Sequence, residues 1–329
     1  MYQCGLVRRR GRGVCRAATD ADWAEETTGL FMSSQAIGIE FDARGIRLAR
    51  VHSGAKGIQV QHAAEASFPE GTSLTSLATD PLPEAVAGAL DWRQFGGRDA
   101  VVVVDHPSAM LSTFRLAAGF IDELSTSIRW YAEQYVPYPL EQAAVDFRTQ
   151  DSCYGGQKTV FLVALQKAVL GKVMALLPPK RVKLRRIDGV PYALYRLYRR
   201  LAGDGAVEPA VVVHGHGPSG YVVVTKEGRI EAVRHVRLAE GFAMSLADKA
   251  CQTCQFYEMH NPTERVRAAY ATAATLACDG VREALTSELG VEVHALDLAS
   301  SATFAGDKGG SGGGESWAET YSLAVGAAL

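Results

Sequence analysis

The chain has 329 residues, of which 47% are hydrophobic and 21% charged, and a formal net charge of -2. That length fits two domains or one bilobal domain, and the near-neutral balance excludes bulk attraction to nucleic acid or anionic lipid. No apolar run approaches the roughly 18–20 residues that cross a bilayer. The strongest run, Ala100 to Val104, is strand-sized, so the sequence reads as soluble, with membrane association only through a partner.

The first 34 residues stand apart. Arg8, Arg9, Arg10, Arg12 and Arg16 form a basic cluster, and an acidic stretch from Asp20 to Glu26 follows. No apolar core of a secretion signal is present, and a transit peptide would be poor in acids. Two readings stand: a disordered tail, or a start at Met32 with a non-native extension before it.

From Ala36 the pattern is strand, turn, strand. "AIGIEFD", "IRLARVHS" and "IQVQHAAEASF" alternate, with turns near Gly45 and Gly54, which predicts three antiparallel strands. A helix is expected at 82–90 behind Pro81 and Pro83. "DAVVVVD" reads as a strand buried on both faces. The next stretch, about 108–177, looks like an inserted α/β module. It comprises a strand, a helix over Ile121–Tyr135 stopped by Pro137 and Pro139, two further strands and a second helix ending at Pro178. "RVKLRRIDG" and Pro191–Leu201 give another strand and helix.

The second half restarts the theme. "PAVVVHGHGPSGYVVVTKEGRIEAVRHVRL" again reads as three strands joined by turns, an internal duplication at low identity. Helices are expected at Phe242–Met259 and Pro262–Ala277, a last strand at "VEVHALDL", a flexible "GDKGGSGGG" loop, and a terminal helix with Trp317, Tyr321 and Val325 on one face. The expected architecture is a bilobal, mixed-sheet α/β fold. Its first lobe spans 35–205 including the module, and its second spans 206–329.

Reactive constellations are sparse. Six scattered cysteines (Cys4, Cys15, Cys153, Cys251, Cys254, Cys278) fit a reducing cytoplasm. Cys251 and Cys254 form a CxxC near His260, but zinc needs further ligands, so these read as two small residues on a helix. His214 and His216, two apart on a strand, read as lining the rim of a cleft without a metal. Asp105-His106 before Pro107 reads as a strand-end turn, and Asp146 as a locally paired group. No catalytic set emerges.

A duplicated strand–turn–strand element is the phosphate-clasping device of the actin/hexokinase/Hsp70 superfamily, in which small residues let backbone amides reach a nucleotide. From Ile37 to Leu329 the chain resembles one branch, the PilM family of type IV pilus assembly proteins. The resemblance rests on "IGIEFDARGIRLARV", "YAEQYVPYPLEQAAVDFR", "TVFLVALQKAVLGKVMALL", "RVKLRRIDGVPYALYRL", "GYVVVTKEGRIEAVRHVRLAEG" and "AETYSLAVGAAL", in that order. It implies an actin-like (ribonuclease H-like) fold, with ATP and magnesium as cofactors. It also implies a cytoplasmic place at the inner membrane, in type IV pilus biogenesis and twitching motility. The implied partners are the N-terminal cytoplasmic peptide of a PilN-like membrane protein and other pilus alignment proteins, with the peptide in a groove beside the inserted module.

The family's nucleotide positions are eroded. By resemblance, Glu40 keeps the metal-directed carboxylate and Arg47 a cation, but Asp42 replaces a glycine that approaches phosphate. The second turn runs through Gly215, Gly217 and Ser219 with Pro218, which lacks an amide donor, and the adenosine-side glycines are reduced to Gly280 after Cys278. These seven residues mark a degenerate cleft and point to a binding subunit. Two alternatives are an active actin-like ATPase or phosphotransferase, which needs the missing glycines and acid, and the cytoplasmic domain of a type II secretion GspL-like protein. The latter continues into a membrane helix that this sequence lacks after Leu329.

Overall fold

The computed structural model describes residues 34–55, 57–69, 90–95, 98–151, 156–178, 182–203, 205–216, 219–237, 242–305 and 316–329. The expectations for residues 1–33, for the helix at 82–89, for Gly217 and Pro218, and for the loop at 306–314 lie outside these residues.

The opening alternation forms an antiparallel meander of β1 (Ser34–Phe41), β2 (Gly45–Gly54) and β3 (Gly57–Ser67). β4 (Arg98–Val104) lies parallel to β1. Its apolar run is buried on both faces: Ala100, Val102 and Val104 enter one core, and Val101 and Val103 enter another. β5 (Met110–Ala117), α1 (Ile121–Glu133), β6 (Ala143–Asp151) and β7 (Gln157–Gln166) follow, and the strands make a separate sheet in the order β5-β7-β6. One face of that sheet is closed by α1 through Leu124, Ile128 and Ala132 against Phe147, Val160 and Leu162. α2 (Lys167–Leu176) packs Val169, Leu170 and Val173 onto the first sheet's core. β8 (Val182–Gly189) runs parallel to β4, and α3 (Val190–Ala202) leaves from its end, with Pro191 in the first turn, where proline is tolerated.

The second half repeats the order. β9 (Ala210–His216), β10 (Ser219–Lys226) and β11 (Arg229–Arg237) form a second antiparallel meander. α4 (Phe242–His260) covers it through Leu246, Ala247 and Ala250. β12 (Ala268–Thr272), α5 (Ala273–Leu276), α6 (Val281–Leu289) and β13 (Val293–Leu296) complete a sheet ordered β11-β10-β9-β12-β13. This matches β3-β2-β1-β4-β8 strand for strand, including the parallel pairing of the last three. The duplication expected from sequence is therefore a duplicated sheet.

One expected element is wrong. The helix predicted over Pro262–Ala277 is strand β12 followed by the single turn of α5. Alanine favours helix locally, but all five residues of β12 are buried between β9 and β13, and ladder pairing overrides that preference.

The chain then returns. α7 (Leu298–Ser301) leads into β14 (Ala302–Phe304), which adds in parallel to β3 on the first sheet, so that sheet reads β14-β3-β2-β1-β4-β8. α8 (Ser316–Ala328) lies across β1 and β2 and against α3, burying Ala324 and Val325 with Ala49, Val51 and Leu197. The approach is backbone to backbone: a Cβ on Gly38 would sit 1.6 Å from the Ala324 carbonyl oxygen, and one on Gly326 would sit 2.4 Å from that of Ala193. Gly38→Ala is expected to force β1 and α8 apart and cost about 3 kcal/mol, the upper end for overpacking a closed core. A urea midpoint unchanged by that substitution would contradict the packing.

Candidate functional site

The two meanders meet where β1 and β4 end. Glu40 and Arg47 are cross-strand partners on β1 and β2. Arg47 Nη1 donates to Glu40 Oε1 at 3.1 Å, and its Nη2 donates to Asp42 Oδ2 at 2.8 Å, with all three side chains buried. Asp42 does more. Its Oδ1 accepts the backbone N–H of Arg44 at 2.8 Å and of Gly45 at 3.0 Å, and Arg44 Nε reaches Oδ2 at 3.3 Å. The amides of the first turn, the donors that would clasp a phosphate, are thus engaged by a carboxylate of the chain itself.

The charges divide unevenly. Burial alone would raise Asp42, but the Arg47 guanidinium and the Arg44 amide override it and hold the carboxyl below its usual range. Glu40 lies deeper; burial pushes it up to about 7 against Arg47, with Asp42 and Asp105 adding repulsion. Arg47 donates to both carboxylates, and burial leaves Glu40 far readier than Asp42 to take up a proton. Asp105, one residue past β4, joins the group. Its N–H donates to the Phe41 carbonyl at 2.7 Å, and burial lifts its carboxyl to about 6.

The second meander reaches this cluster through β10. Tyr221 donates its hydroxyl to Asp105 Oδ1 at 2.7 Å, and Ser219 hydrogen-bonds to the same carboxyl. Of the seven residues singled out from sequence, the structure brings together Glu40, Asp42, Arg47 and Ser219. Gly215 is tied elsewhere: its N–H donates to Thr275 Oγ1 at 2.8 Å, in a buried network with Thr272 and His214. His214 is therefore buried in that network, where the sequence suggested the rim of a cleft. Gly280 opens α6 with φ 71°, a left-handed entry. Gly217 is not among the described residues. Asp105 and Tyr221 were missed as site residues; Asp105 appeared only as a strand-end turn, and nothing local to Tyr221 marks it.

This donor set does not fit a magnesium-bound triphosphate. A phosphate entering the turn would meet the Asp42 carboxylate in place of free amides, and the carboxylates Glu40 and Asp42 that a metal would need are both ion-paired to Arg47. Among the described residues no group of three or more metal-type ligands converges.

Beside this cluster runs a narrow apolar groove. The three-stranded sheet presents its face away from α1, with Leu111 and Val163; the ends of β4 and β8 and the start of α3 form the floor. Tyr221, Val233 and His235 from the second meander form the far wall, with the Tyr221 and His235 rings stacked at 4.8 Å. A second, smaller hollow shares Val163, Ile187, Asp188 and Gly189 with it and continues to Asp146, Arg148 and Tyr192. The Asp146 side chain, locally bonded to the Phe147 N–H at 2.8 Å, faces this hollow. Tyr221 belongs to both the groove and the carboxylate cluster.

No family model matches the chain. Comparison with solved structures gives the class first: a Bacteroides thetaiotaomicron protein of actin-like ATPase fold and unknown function superposes with a TM-score of 0.51 at 8% identity, over 82% of this chain and 93% of that one. The fold is actin-like. Within that class the particular likeness is to PilM. The PilM–PilN type IV pilus biogenesis complex superposes with a TM-score of 0.67 at 19% identity, over 90% of this chain and 98% of that one. A looser match is the cytoplasmic domain of EpsL, an inner-membrane component of the type II secretion system of Vibrio cholerae (TM-score 0.44, 12% identity, 72% of this chain and 82% of that one). No helix among the described residues is long and apolar enough to cross a membrane.

Proposed function

We propose that this protein is a PilM-like cytoplasmic scaffold of a type IV pilus-type assembly machine, and that its groove holds the N-terminal cytoplasmic segment of a PilN-like inner-membrane protein. Through such partners it would sit at the inner membrane with other pilus alignment proteins and serve twitching motility. In this reading the lobes divide near residue 205, with the module at about 108–177 forming one wall of the groove, and the nucleotide cleft is degenerate. The observation that carries it is the pairing of an apolar groove, lined by the inserted module and the second meander, with a turn whose amides Asp42 already engages. An extended peptide laid in such a groove gains affinity from apolar side chains in pockets.

The test is titration of the intact protein with a synthetic PilN-type N-terminal peptide. Binding in the micromolar range is expected, and Leu111→Glu should weaken it on the order of 100-fold by forcing a carboxylate into the apolar wall. Absence of binding at high micromolar peptide would sink the proposal. The companion experiment is magnesium-ATP titration, for which no micromolar affinity is expected; a clear micromolar isotherm would restore the ATPase reading.

A further inference from the structure

We propose that the groove in this structure is shut, and that hydrogen bonds between the two halves of the chain form a latch that a peptide must open. The proposal rests on the groove being a peptide site. As it stands the groove admits water-sized guests only, and a leucine or valine side chain is wider than that. Its two walls are tied together. The module's sheet turns three cross-strand rows away from α1: Leu111 and Val163, then Thr113 and Phe161, then Arg115, Thr159 and Gln150. The last row reaches β11. The Gln150 side-chain amide donates to the Ile230 carbonyl. Next to it, burial raises the Glu231 carboxyl, and the Arg115 guanidinium partly offsets that rise. Outside the module, Asp105 at the end of β4 accepts the Tyr221 hydroxyl at 2.7 Å and bonds Ser219. Tyr221 is itself part of the groove wall. Each of these ties is made by the chain's own groups.

Two atoms argue that the latch is poised to release. Gln150 and Thr159 are only 3% and 2% exposed, yet Gln150 Oε1 and Thr159 Oγ1 have no hydrogen-bond partner within the protein. The two residues stand opposite each other on β6 and β7, in the row that meets β11. A buried polar atom without a partner favours any state that wets it. Parting of the module from β11 wets both. Closure is therefore supported by the Tyr221 bond and opposed by the two orphan atoms, and a ligand that prefers the open state works against a reduced gap.

Two substitutions move the latch in opposite directions. Tyr221→Phe removes the hydroxyl and keeps the ring; Thr159→Val removes an orphan hydroxyl at nearly constant shape. Hydrogen exchange on the full chain without peptide, read by mass spectrometry, follows the facing edge strands β5 and β11, with β12 as internal control. Exchange of β5 and β11 should be at least about five-fold faster in Tyr221→Phe and about three-fold slower in Thr159→Val, with β12 unchanged. Asp105→Asn keeps an acceptor for Tyr221 and should exchange like the parent. Affinity for the PilN-type peptide should follow by similar factors, tighter in Tyr221→Phe and weaker in Thr159→Val, because only the open fraction binds. Unchanged exchange in both variants, or a rise in both, overturns the latch. Faster exchange in Tyr221→Phe with unchanged peptide affinity overturns the gating of the groove. Should Tyr221→Phe fail to fold, the slowing in Thr159→Val decides alone. Exchange that shifts as expected while neither parent nor variant binds the peptide upholds the latch and removes the peptide reading of the groove.

Discussion

Replacing Arg47 with methionine is expected to lower stability on the order of 3–5 kcal/mol at pH 8, the cost of removing one partner from a buried ion pair, and most of that loss should return at pH 5. The guanidinium is the cation that donates to both Glu40 and Asp42, at 3.1 and 2.8 Å, and Asp105 lies within the same field. Without it, carboxylates that burial already disfavours would be charged together at high pH. At pH 5 Glu40 and Asp105, with values raised to about 7 and about 6, hold their protons, and only Asp42 is left to strain the site. Urea melts at the two pH values read this directly; a loss of equal size at both would show that Arg47 acts by packing alone.

The sign can be checked on the unsubstituted protein. Glu40 titrates near 7 when folded and near 4.5 when unfolded, so between those values the folded state binds more protons. Stability must fall as pH rises through that window, by about 3 kcal/mol from this group alone. Asp42 acts in the opposite sense: its lowered value contributes stability above the ordinary carboxylate range that is lost on acidification below it.

Asp42→Gly should turn a loop indifferent to phosphate into one that phosphate stabilises. The substitution removes two backbone acceptor bonds and a partner of Arg47, at a cost on the order of 3–5 kcal/mol, that of removing one partner from a buried ion pair. It also restores a small residue at the turn and frees the amides of Arg44 and Gly45 beside a cation, an anion-binding concavity. With phosphate at about ten times its dissociation constant, roughly 1.4 kcal/mol should be recovered, seen as a rise in melting temperature that the parent protein does not share. A parent protein that responds as strongly as the variant would refute the view that Asp42 fills the turn.

Much of the fold is legible in the sequence, and the reasons are local. Alternation at Ile37, Ile39 and Phe41 marks the face of β1 that enters the first core, and the unbroken Val101–Val104 run marks two-sided burial directly. The repeated meander announces the duplicated sheet. β12 is not legible, because "AAYAT" prefers helix until two flanking strands claim it. β14, at three residues, is too short for any period to show. At the site, Asp42 stands out as an acid where the resemblance implies a small residue, but its bonds to Arg44 and Gly45 depend on how the turn closes. Asp105 and Tyr221 belong to different halves, 116 positions apart, and only the meeting of the two sheets makes them partners.

The return of the chain to its first sheet has a consequence for how the molecule is made. During synthesis, β1 to β4 emerge early, yet the surface around Gly38 waits for α8 and the free edge of β3 waits for β14. Contacts separated by most of the chain are slow to form. Until β14 and α8 leave the ribosome, the first sheet therefore presents an open edge and an uncovered apolar face, the features that recruit chaperones or a neighbouring nascent chain.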